Sequence, residues 1–183
     1  GDLRPNIDAE EADAFGLRWD GRVQKGDDPR SGVATGRLWG EAAAGDTDYW
    51  RALGSVSVTR HLLGGLAGAT SLGVGVTSEG TPIQRSLFTG GTHTLRGFQG
   101  GRFRGTGAWW VRAEIGTRGE ALRASLFSDA AWAGPRDRFW DCGPGVSLGL
   151  GASVMDGLLR LDLARGVVRG EDWRLHFYLD GVF

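Results

Sequence analysis

Residues 106–118 read TGAWWVRAEIGTR, and this stretch decides the fold class that the sequence predicts. Side chains of one parity are apolar: Trp109, Val111, Ala113 and Ile115. The other parity carries Trp110, Arg112 and Glu114. Because successive side chains of a β-strand point to opposite faces, this period of two predicts a strand with one apolar and one polar face. A tilted strand needs about 9–11 residues to cross a bilayer, and this stretch is long enough.

The same alternation recurs along most of the chain, and almost no helical period is present. Eight further runs are predicted as strands: 12–24, 31–43, 48–62, 65–78, 121–133, 144–155, 157–168 and 172–183. No run of 18 or more apolar residues provides a transmembrane helix. The sequence therefore predicts an all-β protein with about eight or nine antiparallel strands in up-and-down order.

Four tryptophans distinguish a membrane barrel from a soluble sandwich, which would also show alternation. With the C-terminus placed in the periplasm, all four lie near the outer-leaflet ends of their strands and share the apolar parity: Trp50, Trp109, Trp132 and Trp173. This pattern is typical of an aromatic girdle. We therefore expect a transmembrane β-barrel in the bacterial outer membrane, with the lipid bilayer against its apolar parity and a polar lumen.

The predicted connections alternate in length, as the turns and loops of outer-membrane barrels do. Short turns are expected at 62–65, 117–121 and 155–157, and longer connections at 79–105 and 134–143. We expect the longest, 79–105, to fold into the lumen. Residues 1–11 are predicted as an acidic loop or tail, which assigns residues 12–183 to the barrel domain.

Composition narrows the possible classes of protein further. Glycine occurs 33 times and tryptophan 8 times, whereas a net charge of −1 gives no global field that would attract nucleic acid. The chain shows no start Met and no basic-then-apolar leader, so either a signal peptide was removed or the chain is part of a longer protein. Single-chain bacterial barrels use even strand numbers, so nine strands favour the C-terminal part of a larger barrel over a complete eight-stranded one.

The segment TGGTHTLRGF, residues 89–98, carries a specific resemblance. It resembles the in-folded loop of the bacterial surface antigen superfamily, which includes BamA-type insertases, TamA-type assembly factors and two-partner secretion transporters. The family's L/V-R-G-F/Y motif is matched by Leu95, Arg96, Gly97 and Phe98. The resemblance covers roughly residues 65–183.

The resemblance extends into two strands. The family places a glutamate in the strand after the loop, matched by Glu114, and an F-x-D-x-G motif in the next strand, matched by Phe127 and Asp129. The motif's last glycine is Ala131 here. A guanidinium shielded from water needs paired acceptors, and both carboxylates have the lumenal parity. We therefore expect Arg96 to pin the loop against the barrel wall, with Phe98 packed beside it.

The end of the chain provides a separate signal. Its alternating apolar residues finish on an aromatic, and they include Phe177, Leu179 and Phe183. This ending resembles the signal by which the outer-membrane assembly machinery recognises barrels for insertion.

Enzyme signals are weak. Gly145, Ser147 and Gly149 form a G-x-S-x-G within a strand-like run, whereas a nucleophile elbow needs a strand–turn–helix. Three histidines lie on separate elements, and GGRFRG (100–105) is a single unit with local charge. We therefore predict no enzymatic activity, no cofactor, no metal site and no nucleic-acid partner.

The family resemblance implies a role in membrane-protein insertion or polypeptide translocation, with a polypeptide as substrate. Two alternatives belong to other classes. In the first, the barrel is a passive anchor or export pore for a fused passenger, such as a hydrolase domain. In the second, the chain is a soluble β-sandwich with a binding role.

Overall fold

The computed structural model describes residues 12–24, 32–45, 48–119, 121–139, 143–155, 158–169 and 172–179. These residues form eleven strands and three single 3₁₀ turns. In chain order the strands are β1 (Ala12–Gln24), β2 (Val33–Gly45), β3 (Tyr49–His61), β4 (Leu66–Thr77), β5 (Leu87–Thr89), β6 (Phe103–Gly105), β7 (Gly107–Thr117), β8 (Leu122–Gly134), β9 (Gly145–Val154), β10 (Leu159–Val168) and β11 (Arg174–Leu179). In this described part of the chain, no helix is long and apolar enough to cross a membrane.

Nine strands form one antiparallel sheet, in the order β1-β2-β3-β4-β7-β8-β9-β10-β11. All nine predicted strands are confirmed, with the described ends displaced by a few residues, and the eight-stranded alternative is wrong. Residues 180–183 of the last predicted strand lie outside the described residues. Across the described ranges, β1 pairs only with β2 and β11 only with β10, so the sheet has two free edges. The predicted tail at 1–11 and the terminal Phe183 lie outside the described residues.

The two faces of the sheet differ as the alternation predicts. On the apolar face, large side chains of neighbouring strands lie directly opposite one another, as Leu126 and Leu150 do across β8 and β9. Both are more than half exposed. A β-sandwich would cover such a face with a second sheet. The second sheet in the described residues is the β5–β6 pair, which packs on the opposite, polar face. The sandwich alternative is therefore wrong.

Glycines on the polar face make room for the connection between β4 and β7. A Cβ at Gly75 would lie 3.2 Å from Leu87 of β5, and a Cβ at Gly145 of β9 would lie 2.9 Å from Phe103 of β6. Glycine in a strand commonly marks such a close approach. The high glycine content thus allows residues 78–106, hereafter the 78–106 loop, to lie close against the sheet.

Gly73 of β4 makes room for a side chain that packs against the same loop. The Trp110 indole lies over it, in the space that a Cβ would occupy. Trp110 in turn packs against the buried cluster of Leu95, Phe98 and Ala131. We expect Gly73→Ala to displace the indole and to lower the free energy of unfolding by about 1–3 kcal/mol, the usual cost of overpacking.

The measurement is the midpoint of thermal unfolding of the full chain, followed by tryptophan fluorescence. Gly40→Ala is the matched control, because the nearest atom to its added Cβ is a backbone oxygen at 3.8 Å. Equal midpoints for the two variants would contradict the packing role of Gly73.

Candidate functional site

The 78–106 loop places three side chains of its L-R-G-F segment in the interior. Leu95, Arg96 and Phe98 are at most 1% exposed, although they lie in a connection without long strands. Their partners come from the polar face of the sheet, the face that carries Glu114, Asp129 and Asp162. A buried arginine is unusual and needs paired acceptors, so its surroundings define the candidate site.

Both carboxylate oxygens of Asp129, in β8, accept hydrogen bonds from Arg96. The Arg96 Nε donates to Asp129 Oδ2 at 2.8 Å, and Nη2 donates to Oδ1 at 2.7 Å. The backbone N–H of Arg96 also donates to Oδ2, at 3.0 Å. A forked arginine–carboxylate pair of this kind fixes orientation as well as distance. Asp129 therefore sets the position of both the side chain and the loop backbone.

Two further strands supply acceptors to the remaining nitrogen. The Arg96 Nη1 donates to Glu114 Oε2 of β7 at 3.0 Å and to Asp162 Oδ2 of β10 at 3.1 Å. Asp129 and Asp162 are fully buried, and the Glu114 side chain is largely so. One guanidinium thus joins carboxylates from three strands of the sheet.

A second arginine and a tyrosine hydroxyl also donate hydrogen bonds to these carboxylates. Arg160 of β10 donates from Nη2 to Glu114 at 2.7 Å and from Nε to Asp162 at 2.9 Å. The Tyr178 hydroxyl of β11 donates to Asp162 Oδ2 at 2.7 Å. We call these residues the Arg96 cluster: Arg96, Glu114, Asp129, Arg160, Asp162 and Tyr178. The attraction between these paired charges and their hydrogen bonds offsets the desolvation penalty of burying them.

Phe127 of β8 forms the floor beneath the guanidinium. The Arg96 Cζ lies 3.4 Å from the centroid of the Phe127 ring. The ring is buried and occupies the space that a side chain at Gly149 of β9 would need. A desolvated cation over an aromatic face is attracted by the ring quadrupole. Phe127 therefore contributes to binding Arg96 directly.

The protonation state of Arg96 follows from its surroundings. Burial by itself would lower the pKa of Arg96, but the hydrogen bonds and negative charge of Asp129 and Glu114 outweigh it and raise that pKa above its ordinary value. The guanidinium therefore stays charged across the accessible pH range.

Gly97 brings the loop backbone against the sheet. Its φ is +85°, and an added Cβ would lie 2.9 Å from the carbonyl carbon of Arg165 in β10. The ladder between β9 and β10 shifts register just beyond this point, between Gly166 and Val168. Glycine is the residue that tolerates both the positive φ and the close approach. Gly97 therefore fixes the height of Arg96 above the carboxylates.

Leu95 and Phe98 close the site with apolar contacts. Both are completely buried and pack against Ala131 of β8. The Phe98 ring also lies 5.6 Å from that of Phe103. The methyl group of Ala131, where the family pattern has glycine, is part of this apolar cluster. The departure from the pattern is thus accommodated by packing.

A second group ties the start of the 78–106 loop to the other half of the sheet. Arg85 Nη1 lies 3.6 Å from Glu41 Oε2 of β2, and Arg51 Nη2 of β3 donates to the same oxygen at 3.1 Å. Arg51 Nη1 also donates to the Arg85 carbonyl at 3.3 Å, and the Tyr49 hydroxyl donates to Glu41. The loop therefore contacts β2 and β3 as well as β7 to β10.

The structure brings together the predicted residues Arg96, Glu114, Phe127 and Asp129. It also adds three cluster residues that sequence reasoning missed: Arg160, Asp162 and Tyr178. Alternation along β10 and β11 gives all three the polar parity, but parity alone does not select them from the other residues of the polar face. The second group around Glu41 left no comparable motif in the sequence.

The predicted aromatic girdle is only partly exposed. Trp50 and Trp173 are 45% and 59% exposed on the apolar parity, and Trp109 is intermediate. Trp132 departs from the expectation: it is 2% exposed, because the Phe139 ring lies 5.4 Å away and the chain after β8 covers the indole. Trp132 is therefore a packing residue in this structure.

The remaining predicted positions are placed as follows. Phe177 and Leu179 of β11 point to the apolar face and are about 70% exposed, with values of 72% and 69%. Phe183, the last residue of that proposed insertion signal, lies outside the described residues. Ser147 of the G-x-S-x-G is fully buried within β9.

Comparison with known proteins identifies the fold. No protein-family model and no curated protein matches the chain. Among solved structures, it is similar to the crystal structure of BamA from Haemophilus ducreyi lacking POTRA domains 1–3, with a TM-score of 0.70 and 17% identity. The match covers 90% of this chain and 41% of that one, so the chain spans less than half of that structure. The likeness shows that the nine-stranded sheet has the fold of an antiparallel up-and-down β-barrel.

The geometry predicts that Arg96→Ala frees the 78–106 loop. Removing one partner of a buried ion pair costs about 3–5 kcal/mol, because the other charges stay buried without compensation. We expect hydrogen exchange of the loop amides to accelerate by about a hundredfold or more, and proteinase K to cleave within the loop.

Arg104→Ala is the matched control, since Arg104 is an exposed arginine of the same loop. Exchange and cleavage should stay at the wild-type level in that variant. Loop amides that remain equally protected in Arg96→Ala would refute the anchoring role.

Gly97→Ala tests the backbone approach separately from the charge. The added methyl group is strained by the positive φ and by β10, and we expect the loop to be destabilised by about 1–3 kcal/mol. Gly100→Ala is the control, because no atom lies within 4 Å of its Cβ position. The measurement is again amide exchange of the loop. Equal rates in both variants would show that the close approach of Gly97 to β10 does not contribute to the stability of the loop.

Proposed function

We propose that this chain is a barrel domain of the bacterial outer membrane that inserts membrane proteins or translocates polypeptides, in contact with the outer-membrane assembly machinery. The observation that carries the proposal is the Arg96 cluster, in which the L-R-G-F segment of the loop binds carboxylates of β7, β8 and β10. The resemblance of residues 65–183 to the bacterial surface antigen superfamily and the barrel fold support the same assignment.

The cluster is suited to setting one conformation of the barrel. A buried ion pair adds little net stability compared with apolar packing, but it demands a defined geometry of all its members. Here that geometry involves three strands and the loop at once. We infer that the loop fixes the mutual positions of β7 to β10 and that its release changes the shape of the polar face.

The edge of β11 supports a role in engaging a polypeptide. β11 pairs through Leu159–Ala164 of β10, and its other edge has no partner strand among the described residues. A free strand edge presents N–H and C=O groups to which an extended polypeptide adds by β-augmentation. We propose that a substrate strand engages this edge of β11, within the predicted last strand 172–183, as a weak seam.

The exposed apolar face supports the membrane placement. Its members include Leu17, Leu126, Leu150 and Phe177, each more than half exposed. Apolar patches larger than a few hundred Å² are rare on soluble monomers and mark lipid or protein contacts. Lipid chains would cover this face without the need for a second sheet.

The experiment is reconstitution of the full chain into liposomes, followed by addition of a second, urea-denatured outer-membrane barrel. We expect that barrel to fold faster than in protein-free liposomes. Its folding is read from the shift in gel mobility between unboiled and boiled samples. Arg96→Ala should reduce the acceleration several-fold, and the Arg104→Ala control should retain it.

A folding rate equal to that of empty liposomes would contradict the proposal. It would instead favour the alternative of a passive anchor or export pore, which needs no effect on a second barrel.

A further inference from the structure

The apolar face carries one arginine beside a groove. Arg165 of β10 has the same parity as Leu161, Leu163 and Val167, and it is exposed. With the described residues its guanidinium forms no hydrogen bond or ion pair. The neighbouring positions Ala164 and Gly166 face the loop and are buried. Arg165 is thus separated from the Arg96 cluster and points away from it.

The groove beside Arg165 has a volume of about 830 Å³. The register places Arg165, Leu148, Ser128 and Ala113 in one row across the sheet, and the small side chains of Ser128 and Ala113 leave room at the floor of the groove. Larger aliphatic side chains of the next row, Leu126 and Leu150, form a wall. A groove of this size accommodates a small ligand, and its lining suits a hydrocarbon chain.

Trp173 lines the groove at the same end as Arg165. It directly precedes Arg174, which pairs with Ala164, so continuation of that register places Trp173 opposite Arg165. Trp173 is more than half exposed. An exposed tryptophan next to a cation is the combination found where an apolar surface meets lipid headgroups.

We propose that Arg165, Trp173 and the groove form a binding site for a phosphate-bearing lipid. The phosphate would accept hydrogen bonds from the guanidinium, and an acyl chain would lie in the groove. A cation on a lipid-facing surface is unfavourable, and a phosphate partner offsets this by charge-assisted, forked hydrogen bonds. Arg165 lies three residues before the last residue of β10, so its side chain reaches the headgroup level.

The other arginine of apolar parity in the described strands shows why the groove matters. Arg60 is the next-to-last residue of β3, at the end that carries the short turn to β4. It is exposed and does not line the groove. The site at Arg165 therefore differs from a general headgroup contact by its cavity and its tryptophan. The inference rests on the proposed placement of this face in a membrane.

The experiment measures binding of phosphatidic acid to the full chain by native mass spectrometry, after release from phosphatidylcholine nanodiscs. We expect one phosphatidic acid to bind preferentially. Arg165→Gln should raise the dissociation constant for phosphatidic acid about fivefold, the usual effect of one cation near a lipid surface. Arg165→Lys keeps the charge but loses the fork, so it should lose less affinity than Arg165→Gln and still bind more weakly than the wild type.

Two variants make the result specific. Ala113→Phe keeps the charge but fills the floor of the groove, so we expect weaker binding in this variant as well. Arg22→Gln removes an arginine from the polar face of β1 and should bind phosphatidic acid like the wild type.

An unchanged dissociation constant in Arg165→Gln, or an equal loss in Arg22→Gln, would overturn the site. If no variant retains either phosphatidylcholine or phosphatidic acid, the membrane placement itself fails. That outcome is distinguishable from selective failure at Arg165, in which phosphatidylcholine still binds.

Discussion

The guanidinium of Arg96 and the carboxylate of Asp129 form the interaction on which the rest of the structure depends. Both groups are buried, and the fork places each nitrogen within 2.8 Å of its oxygen. An unpaired ion in this position would be very unfavourable, so the loop and the sheet must meet in one geometry. Glu114 and Asp162 extend that requirement to β7 and β10. Gly97, Phe127 and the glycines of β9 are then explained by the space that this geometry needs.

The two faces of the sheet have separate tasks that follow from the same alternation. The polar face binds the 78–106 loop through charge at the Arg96 cluster and again at Glu41. The apolar face is left open, apart from Trp132, which the residues after β8 cover. A sheet with one charged, occupied face and one exposed, apolar face is suited to a barrel wall between lipid and a polar interior. The lipid site proposed at Arg165 combines a charge on the apolar side with a groove, which Arg60, the other arginine of that parity in the described strands, does not line.

Most of the fold could be predicted from the sequence, because period-two alternation is a local signal that each strand carries for itself. Residues 106–118 show both faces of β7 without any knowledge of its neighbours. The Arg96–Asp129 contact could be predicted for a different reason, since parity and motif order place both groups on one side of the sheet. Asp162 and Tyr178 required the register of β9 to β11, which brings β10 under the loop. Burial of Trp132 depends on the path of the chain after β8, and alternation within β8 does not contain it.

The most direct test of the central claim is a double-mutant cycle between Arg96 and Asp129 in the full chain. Arg96→Ala, Asp129→Ala and the double variant are compared by the opening free energy of the 78–106 loop, obtained from amide hydrogen exchange. If the pair anchors the loop, the coupling free energy should be at least about 1.5 kcal/mol. A coupling near zero, with the two single effects simply adding, would show that the loop is held by other contacts and would contradict the account.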